Sequence, residues 1–326
     1  MPHLLAAPDK FRGTVTAAEA AEAACAGARG SGWTAEALPL ADGGEGTLDV
    51  LGGANRTTPV HGPLGEVVEA GWRLDGDRAV IEMARASGLG LVGGPRGNDA
   101  LAATTAGTGE LIAAAVGAGA RSVVVAVGGS ATTDGGLGCL EVLSRARLSG
   151  VDLVVACDVD ISFVEAAEAF APQKGAGPRQ VDMLRRRLER LVVDYRHRYG
   201  VDVTSIEGGG AAGGLAGGLA ALGARLVPGF EVVAEAVGLE ARVAGADLVL
   251  TGEGFVDEQS FRGKVVGGVI ETCRQSGKAA VVVAGEVFVE PGVASISLVE
   301  AFGRQRALED TPACITEAVA DHLRAL

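Results

Sequence analysis

The chain is poor in aromatic side chains, which make up 4% of its 326 residues, and it contains only five cysteines and four histidines. The cysteines are scattered without CxxC or metal-ligand spacing, so they predict neither a disulfide framework nor a zinc site. The histidines lie outside the Gly-rich motifs, which argues against acid–base chemistry by histidine. With so few aromatic residues, the core must be built from Ala, Val and Leu.

Positive charge is scarce as well, because the formal net charge at pH 7 is −13. Proteins that bind nucleic acids need a basic face, so a nucleic-acid partner is not expected. The sequence also lacks an uncharged apolar run of about 18 residues, and its first residues do not have the pattern of a secretory signal. We therefore expect a cytoplasmic protein with small-molecule substrates and no membrane partner. A homodimer is left open.

Lysine is rarer than arginine, since only four of the 28 basic residues are lysines. Three of them stand in turn-rich motifs: Lys10 in PDKFRG, Lys174 in PQKGAG and Lys264 in RGKVVGG. An ammonium group binds phosphate as a compact point charge, whereas a guanidinium binds it as a planar fork. Lysines kept in such turns predict an anionic ligand, with three ordinary surface lysines as the alternative interpretation.

Glycine is abundant, at 51 residues, and it clusters at the ends of apolar runs. The clearest case is VVVAVGGSATTDGGLG over 123–138, a predicted buried strand that ends in a Gly, Ser and Thr loop. Glycines let successive backbone amides point at one anion. The residues predicted to hold phosphate in this loop are Gly128, Gly129, Ser130, Thr132 and Thr133.

The same arrangement recurs in four other places, HLLAAPDKFRG, ALPLADGGEGT, LVVACD and DLVLTGEGFVD. Each apolar run delivers an acid to a polar turn, where it either caps the turn or serves as a proton acceptor or Mg²⁺ ligand. Ligands bind at the carboxyl ends of parallel strands, so these acids are expected to share one face. Counting the 123–138 loop, they are Asp9, Asp42, Glu45, Asp134, Asp158, Glu253 and Asp257.

Strand and helix patterns alternate along most of the chain, with helices predicted near 16–28, 106–116, 181–199 and 264–275. This order indicates a parallel sheet with helical crossovers. Residues 57–83 differ, because short alternating segments separated by GPLG and DGD turns predict antiparallel hairpins. We therefore expect an α/β protein with a parallel sheet and a second, mixed region.

One glycine pattern resembles a dinucleotide fingerprint, since Gly208, Gly210 and Gly213 satisfy GxGxxG. The preceding VDVTSIE is a poor strand, so close helix packing or a phosphate-facing loop is the alternative to NAD binding by a dehydrogenase. No GxxxxGK[ST] motif occurs. Carboxylates, lysines and a Gly-rich loop together suit phosphoryl transfer, which needs positioning and charge stabilisation more than a covalent nucleophile.

The chain resembles the bacterial glycerate kinase family, which phosphorylates D-glycerate with ATP. The matching blocks run in the family's order over most of the chain and include APDKFRGTVTAAEAAEA, PLADGGEGT, VGGSATTDGGLGCLE, PQKGA and DLVLTGEGFVDEQSFRGK. The resemblance implies two α/β domains, one flavodoxin-like with a parallel sheet and one mixed and similar to the restriction-enzyme fold, with the active site in the cleft between them. We expect the first at 1–60 plus 245–326 and the second at 61–244.

The resemblance also implies the reaction, an ATP- and Mg²⁺-dependent phosphorylation of D-glycerate that yields 2-phosphoglycerate. It assigns roles to the residues singled out above. The expected catalytic residues are Asp42 as the base, Lys10, Asp134, Asp158 and Lys264. Lys174 is expected to hold phosphate with the Gly-rich loop. The expected substrate contacts are Asp9, Arg12, Glu45 and Gln259, and the expected metal-side acids are Glu253 and Asp257.

Three departures from the family pattern affect substrate identity more than fold. Residues 141–151 and 158–172 are shorter than in relatives, and the second stretch looks helical. Phe255 stands where the family usually has Arg, and the loss of such a cation would weaken binding of a substrate anion. The alternative is therefore a catalytically altered or inactive paralogue that binds a nucleotide or another small hydroxy acid.

Overall fold

The computed structural model describes residues 1–11, 13–261 and 263–326. The strands are β1 (His3–Ala6), β2 (Thr34–Ala37), β3 (Arg56–His61), β4 (Val67–Asp75), β5 (Arg78–Glu82), β6 (Ser122–Ala126), β7 (Asp152–Ala156), β8 (Arg225–Val227), β9 (Leu248–Val256), β10 (Ala279–Val287) and β11 (Ala294–Ser297).

The α-helices are α1 (Ala17–Gly30), α2 (Thr47–Val50), α3 (Ala84–Ser87), α4 (Ala106–Gly117), α5 (Leu137–Leu143), α6 (Ala166–Phe170), α7 (Pro178–Tyr199), α8 (Ala211–Ala221), α9 (Gly229–Val237), α10 (Leu239–Gly245), α11 (Val265–Gln275), α12 (Leu298–Phe302), α13 (Arg304–Glu309) and α14 (Thr311–Arg324). Short 3₁₀ turns lie at Leu89–Val92, Pro172–Lys174, Val203–Ser205 and Glu258–Phe261. In the part of the chain described, no helix is both long and apolar enough to cross a bilayer.

The chain divides into unit 1, residues 1–42 and 230–326, and unit 2, residues 43–229. The sequence placed the boundaries at 60/61 and 244/245 instead. The difference arises because β3 pairs with β4 over its whole length, which assigns the first hairpin to the sheet of unit 2. Similarly, α10 packs on α11 and so belongs to unit 1.

Unit 1 contains a five-stranded sheet in the order β11-β10-β9-β1-β2, and every pairing is parallel. Alternate strand residues such as Leu4 and Val281 pack against α1 and α14 on one face. Residues of the opposite parity, such as Val282, pack against α11. Burial on both faces explains why these strands are continuous apolar runs rather than alternating ones, and it confirms the predicted parallel α/β layout.

The first helix of unit 1 shows how local sequence sets an element boundary. The Thr16 hydroxyl accepts from the backbone amide of Glu19, and the Glu19 carboxylate accepts from the amide of Thr16. This reciprocal pair is a capping box. It satisfies amides that the first turn would otherwise leave unpaired, and it confirms the helix predicted at 16–28.

Unit 2 contains a six-stranded mixed sheet in the order β3-β4-β5-β6-β7-β8. β3, β4 and β5 are antiparallel neighbours, whereas β5 to β8 run parallel. The hairpins predicted for 57–83 are thus confirmed. Helix α7 buries Leu184, Leu188, Leu191 and Tyr195, which recur every three or four residues on one face. The stretch 158–172 is less helical than the sequence indicated, since α6 covers only Ala166–Phe170.

Candidate active site

In unit 1, the segments that follow the carboxyl ends of β1 and β2 come together beside residues 252 and 253 of β9, which itself continues to Val256. Backbone hydrogen bonds continue past the strands, because the amide of Asp9 donates to Gly252 O at 2.8 Å and the amide of Leu40 donates to Pro8 O at 2.9 Å. The parallel register therefore places Asp9, Asp42 and Glu253 in one group, as the sequence predicted for acids at strand ends.

We call Asp9, Lys10, Asp42, Glu253 and Lys264 the acid–lysine cluster. The Lys10 ammonium lies 3.6 Å from Asp9 Oδ1 and 3.7 Å from Asp42 Oδ1. Burial raises the pKa of Asp9 to about 6, Lys10 opposes that rise, and the charge of Asp42 adds to it. A carboxyl group kept partly protonated near neutral pH is a feature of functional sites.

Glu253 is the most perturbed acid of the cluster. Its Oε1 atom is buried and has no hydrogen-bond partner among the described residues. Burial raises the pKa of this carboxyl to about 7, although the Ser260 hydroxyl and the Lys264 ammonium both lower it. The neighbouring charges of Asp9 and Asp42 raise it further. A proton acceptor works best when its pKa is close to the working pH.

In the turn that follows Glu253, the Asp257 side chain forms hydrogen bonds with the backbone of the same turn. Asp257 Oδ1 accepts from the backbone amides of Gln259 and Ser260, at 2.8 and 3.2 Å, and so opens the 3₁₀ turn Glu258–Phe261. Gln259 is exposed. Lys264 precedes the first turn of α11. Arg12, expected to contact substrate, lies outside the described residues.

In unit 2, the carboxyl ends of β5 to β8 also share one edge. The sequence reasoning missed Glu82, the last residue of β5, although it is an acid at a strand end. Its buried Oε1 accepts from the amides of Gly46 and Leu48, at 2.9 and 2.8 Å. Arg85 Nε donates to its second oxygen at 3.1 Å. Glu82 therefore holds the DGGEGT turn in place, while Glu45 in that turn is exposed.

Two glycines allow the backbones at this edge to approach each other closely. A Cβ atom added to Gly128 would lie 2.7 Å from Gly44 Cα, and one added to Gly43 would lie 2.6 Å from Gly229 Cα. Asp158 Oδ1 accepts from the amide of Gly229 at 2.7 Å. The turns after β6 and β8 thus both contact the Gly43–Gly44 segment at distances that no larger residue would permit, and a hydrogen bond joins the turn after β7 to the turn after β8.

The loop formed by residues 128–134 has its carbonyl groups tied to the interior of unit 2. Gly129 O accepts from Leu89 N, Ala131 O from Asn98 Nδ2, Thr132 O from Lys174 Nζ, and Gly135 O, just beyond the loop, from Tyr195 Oη. The Lys174 ammonium, which the sequence assigned to phosphate, therefore donates to a backbone carbonyl, and its side chain is buried.

In contrast to the carbonyl groups, most backbone amides of this loop form no hydrogen bond with the described residues. The backbone amides of Gly128, Gly129 and Ser130, and those of Thr132, Thr133 and Asp134, donate to no acceptor among the described residues. The buried Thr133 hydroxyl has no partner among them either. Ser130, Thr132, Thr133 and Asp134 are buried residues, whereas Gly128 is half-buried and Gly129 is exposed. Runs of backbone amides that have no protein acceptor are the donor groups from which an anion-binding turn is built.

Asp134 is buried, and its carboxylate accepts hydrogen bonds from neighbouring backbone and side-chain groups. Its carboxylate accepts from the amide and hydroxyl of Thr105, at 2.9 and 2.8 Å. It also accepts from the amides of Gly136 and Gly138, at 3.0 and 3.2 Å. Asp134 thus joins the start of α4 to the start of α5. Its assigned catalytic role stays a prediction.

The GxGxxG glycines serve close packing in this structure. A Cβ atom on Gly210 would lie 2.4 Å from Ser162 O, and one on Gly213 would lie 2.0 Å from Thr132 O. Ala212, Gly213 and Gly214 all have positive φ, which interrupts the helical backbone of α8. The amide of Gly135 donates to Gly213 O at 3.0 Å. These glycines bring the turn against the 128–134 loop, as the packing interpretation requires.

Comparison with known proteins gives consistent results. A family model described as the glycerate kinase family matches residues 4–145 and 144–325. The chain is 38% identical to glycerate 2-kinase of Escherichia coli K12, covering 89% of this chain and 87% of the relative. It is 39% identical to a glycerate kinase of Halalkalibacterium halodurans, covering 88% and 86%. A crystal structure of a provisionally assigned glycerate kinase 2 from Salmonella typhimurium LT2 superposes with a TM-score of 0.87 at 33% identity, covering 99% and 98%.

Proposed function

Because the chain belongs to the glycerate kinase family, we propose that it transfers the terminal phosphoryl group of ATP to the 2-hydroxyl of D-glycerate. In this reaction the hydroxyl oxygen bonds to the γ-phosphorus, the bond from that phosphorus to the β–γ bridging oxygen breaks, and ADP leaves. The hydroxyl proton passes to a carboxylate. The products are 2-phosphoglycerate and ADP.

The observation that carries this proposal is the double run of unpaired amides in the 128–134 loop. Phosphoryl transfer spreads negative charge over several oxygens, and preorganised backbone donors stabilise that charge without reorganising during the reaction. We assign the nucleotide phosphates to this loop, with Gly128, Gly129 and Ser130 as the leading donors. Three consecutive amides without an acceptor among residues 1–11, 13–261 and 263–326 are the feature that a polyphosphate would satisfy.

The acid–lysine cluster supplies the chemistry at the acceptor. Lys10 and Lys264 neutralise the glycerate carboxylate or the transferring phosphoryl group. Glu253 is the better candidate for the proton acceptor, because its Oε1 has no hydrogen-bond partner in the part of the chain described and its pKa is raised to about 7. Asp42, the base expected from the sequence, lies 3.7 Å from the Lys10 ammonium and is assigned to hold that lysine.

Mg²⁺ is expected for a kinase, and the described residues do not fit a metal site held by the protein alone. Among them, no three His, Cys, Asp or Glu side chains converge to bind a metal ion. Asp257, one of the two predicted metal-side acids, accepts with Oδ1 from two backbone amides. Mg²⁺ commonly stays on the substrate phosphates and keeps several waters, so we propose MgATP as the substrate. No step assigned to this chain depends on a resident ion.

A coupled ADP-release assay with MgATP and D-glycerate tests the proposal, with L-glycerate and acceptor-free reactions as controls. We expect release that depends on D-glycerate, and phosphorus NMR of the product should show phosphate on the 2-oxygen. Product carrying phosphate on the 3-oxygen would overturn the assigned hydroxyl. A folded protein that binds ATP but releases no ADP would favour the altered paralogue, in which Phe255 replaces the cation usual in the family.

A further inference from the structure

Lys174 has an unusual environment for a lysine. Its side chain is 3% exposed, and its ammonium donates to Thr132 O at 2.6 Å. Among the described residues it forms no ion pair within 4.0 Å, and its Nζ lies 5.9 Å from the centre of the Phe170 ring. Burying an ammonium is unfavourable unless its hydrogen bonds are satisfied. A leucine or methionine would fill the same space without that cost, so the ammonium needs a specific reason to be there.

Asn98 makes a second connection between the same two segments. Its Nδ2 donates to Ala131 O and to Lys174 O, both at 2.9 Å. The side chain thus bridges the 128–134 loop and the turn that carries Lys174. Lys174 in turn reaches back to the next carbonyl of the loop, so two adjacent loop carbonyls are held by a closed set of contacts.

The direction of these carbonyls determines the direction of the amides. In a trans peptide, the carbonyl of one residue and the amide of the next point in opposite directions. Fixing Ala131 O toward Asn98 therefore turns the amide of Thr132 away from Asn98, and fixing Thr132 O toward Lys174 turns the amide of Thr133 away from Lys174. Both of these amides lack an acceptor among the described residues.

We propose that Lys174 and Asn98 form a clamp that orients the phosphate-binding amides of the 128–134 loop, with Lys174 as a positioning residue rather than a phosphate ligand. The clamp rests on the function proposed above. In the free protein, the clamp keeps the loop amides in the arrangement that a bound polyphosphate would otherwise have to impose. Preorganisation of this kind lowers the free-energy cost of binding without adding a contact to the ligand.

The test compares Lys174→Met and Asn98→Leu with a matched control, Lys278→Met. Lys278 also donates its ammonium to a backbone carbonyl, that of Ala246 at 2.8 Å, but it belongs to unit 1 and lies outside the acid–lysine cluster. Kinetics give KM for MgATP, KM for D-glycerate and kcat, and calorimetry gives the Kd of MgADP. Thermal melts report stability separately.

We expect Lys174→Met and Asn98→Leu to raise both KM for MgATP and the Kd of MgADP by about tenfold or more, as loss of an oriented donor to a charged ligand would. KM for D-glycerate should stay within about twofold. Lys174→Arg, which keeps a cationic donor, should recover part of the loss. Lys278→Met should lower the melting temperature without changing either KM.

Equal KM values for the wild type and both clamp variants would overturn the clamp while leaving the kinase intact. Equal increases in both KM values together with a lower melting temperature would also overturn it, because they indicate general loosening. A wild-type protein that binds no nucleotide would instead refute the proposed function. Among the described residues, Asn98 Oδ1 accepts no hydrogen bond, so the hydrogen bonds that Asn98→Leu removes are the two donated by Nδ2, and this variant decides the test even if Lys174→Met fails to fold.

Discussion

The carboxylate of Asp134 accepts from both the backbone amide and the hydroxyl of Thr105, at 2.9 and 2.8 Å. Two further amides complete its surroundings, and its side chain is buried. A carboxylate surrounded by donors in this way is suited to holding the surrounding backbone in place. The sequence placed Asp134 among the catalytic residues because it follows the Gly-rich loop.

We therefore expect replacement of the Asp134 carboxylate to act mainly through a loss of stability. Asp134→Asn puts an amide group against several donors, and we expect the free energy of unfolding to fall by about 2–4 kcal/mol. Urea denaturation measures this change, and activity per folded molecule measures any catalytic effect. Unchanged stability with a large loss of activity would return Asp134 to the catalytic machinery.

Glu253 should make stability depend on pH in the opposite sense to an ordinary acid. Below pH 4.5 this carboxyl is protonated in both the folded and the unfolded chain, so burial has no ionisation cost. Between pH 4.5 and about 7 the unfolded chain releases the proton and the folded chain retains it, which lowers stability as pH rises.

Glu253→Gln removes the cost of ionising a buried carboxyl. In a buffer without metal ions, the variant should therefore be more stable than the wild type by about 2 kcal/mol at pH 8. The two proteins should be nearly equal at pH 4. Melts in a chelating buffer across this range measure the difference. A Gln variant that is less stable at pH 8, or a difference independent of pH, would contradict the raised pKa of Glu253.

The two candidate proton acceptors can be separated by activity. Glu253→Gln should lower kcat by about a hundredfold or more, because it removes the group that takes the hydroxyl proton. Asp42→Asn leaves that group in place and weakens the ion pair that positions Lys10, so we expect about a tenfold loss. Steady-state kinetics at saturating substrate give both values. The reverse order would make Asp42 the base, as the sequence indicated.

The close approach at Gly128 predicts sensitivity to a single methyl group. Gly128→Ala would force a Cβ atom to within 2.7 Å of Gly44 Cα, so we expect a loss of about 1–3 kcal/mol in stability and displacement of the leading amides. The catalytic efficiency should fall by about tenfold or more. Gly117→Ala is the matched control, since nothing lies within 4 Å of its added Cβ. Wild-type activity in Gly128→Ala would show that this backbone contact is not needed.

Local sequence was sufficient for the elements whose boundaries depend on neighbours in the chain. The capping box at Thr16 and Glu19 starts α1 within one residue of the predicted position. The helix predicted near 181–199 is confirmed as α7, and alternation identified the hairpin strands β3 to β5. The stretch 158–172 shows the limit, because its helical composition is confirmed only over Ala166–Phe170.

The acids at strand ends could also be listed from sequence, because parallel strands end at a common edge. Their individual roles could not be assigned, since these depend on partners that are distant in the chain. Asp9, Asp42 and Glu253 differ in burial and in distance from Lys10, and neither property is visible in the motifs. The role of Glu82 could not be predicted either, because its two amide donors lie 34 and 36 residues away.

The sequence by itself determined the parallel and mixed sheets, the family, and the set of residues from which a site could be built, because periodicity, capping and motif order are local properties. Only the tertiary structure decided what Lys174 does. Its motif indicated phosphate, whereas the fold buries its ammonium and directs it to Thr132 O, 42 residues away. Burial and long-range hydrogen bonding determine whether a charged group faces a ligand or holds the backbone, and both arise only when distant segments pack together.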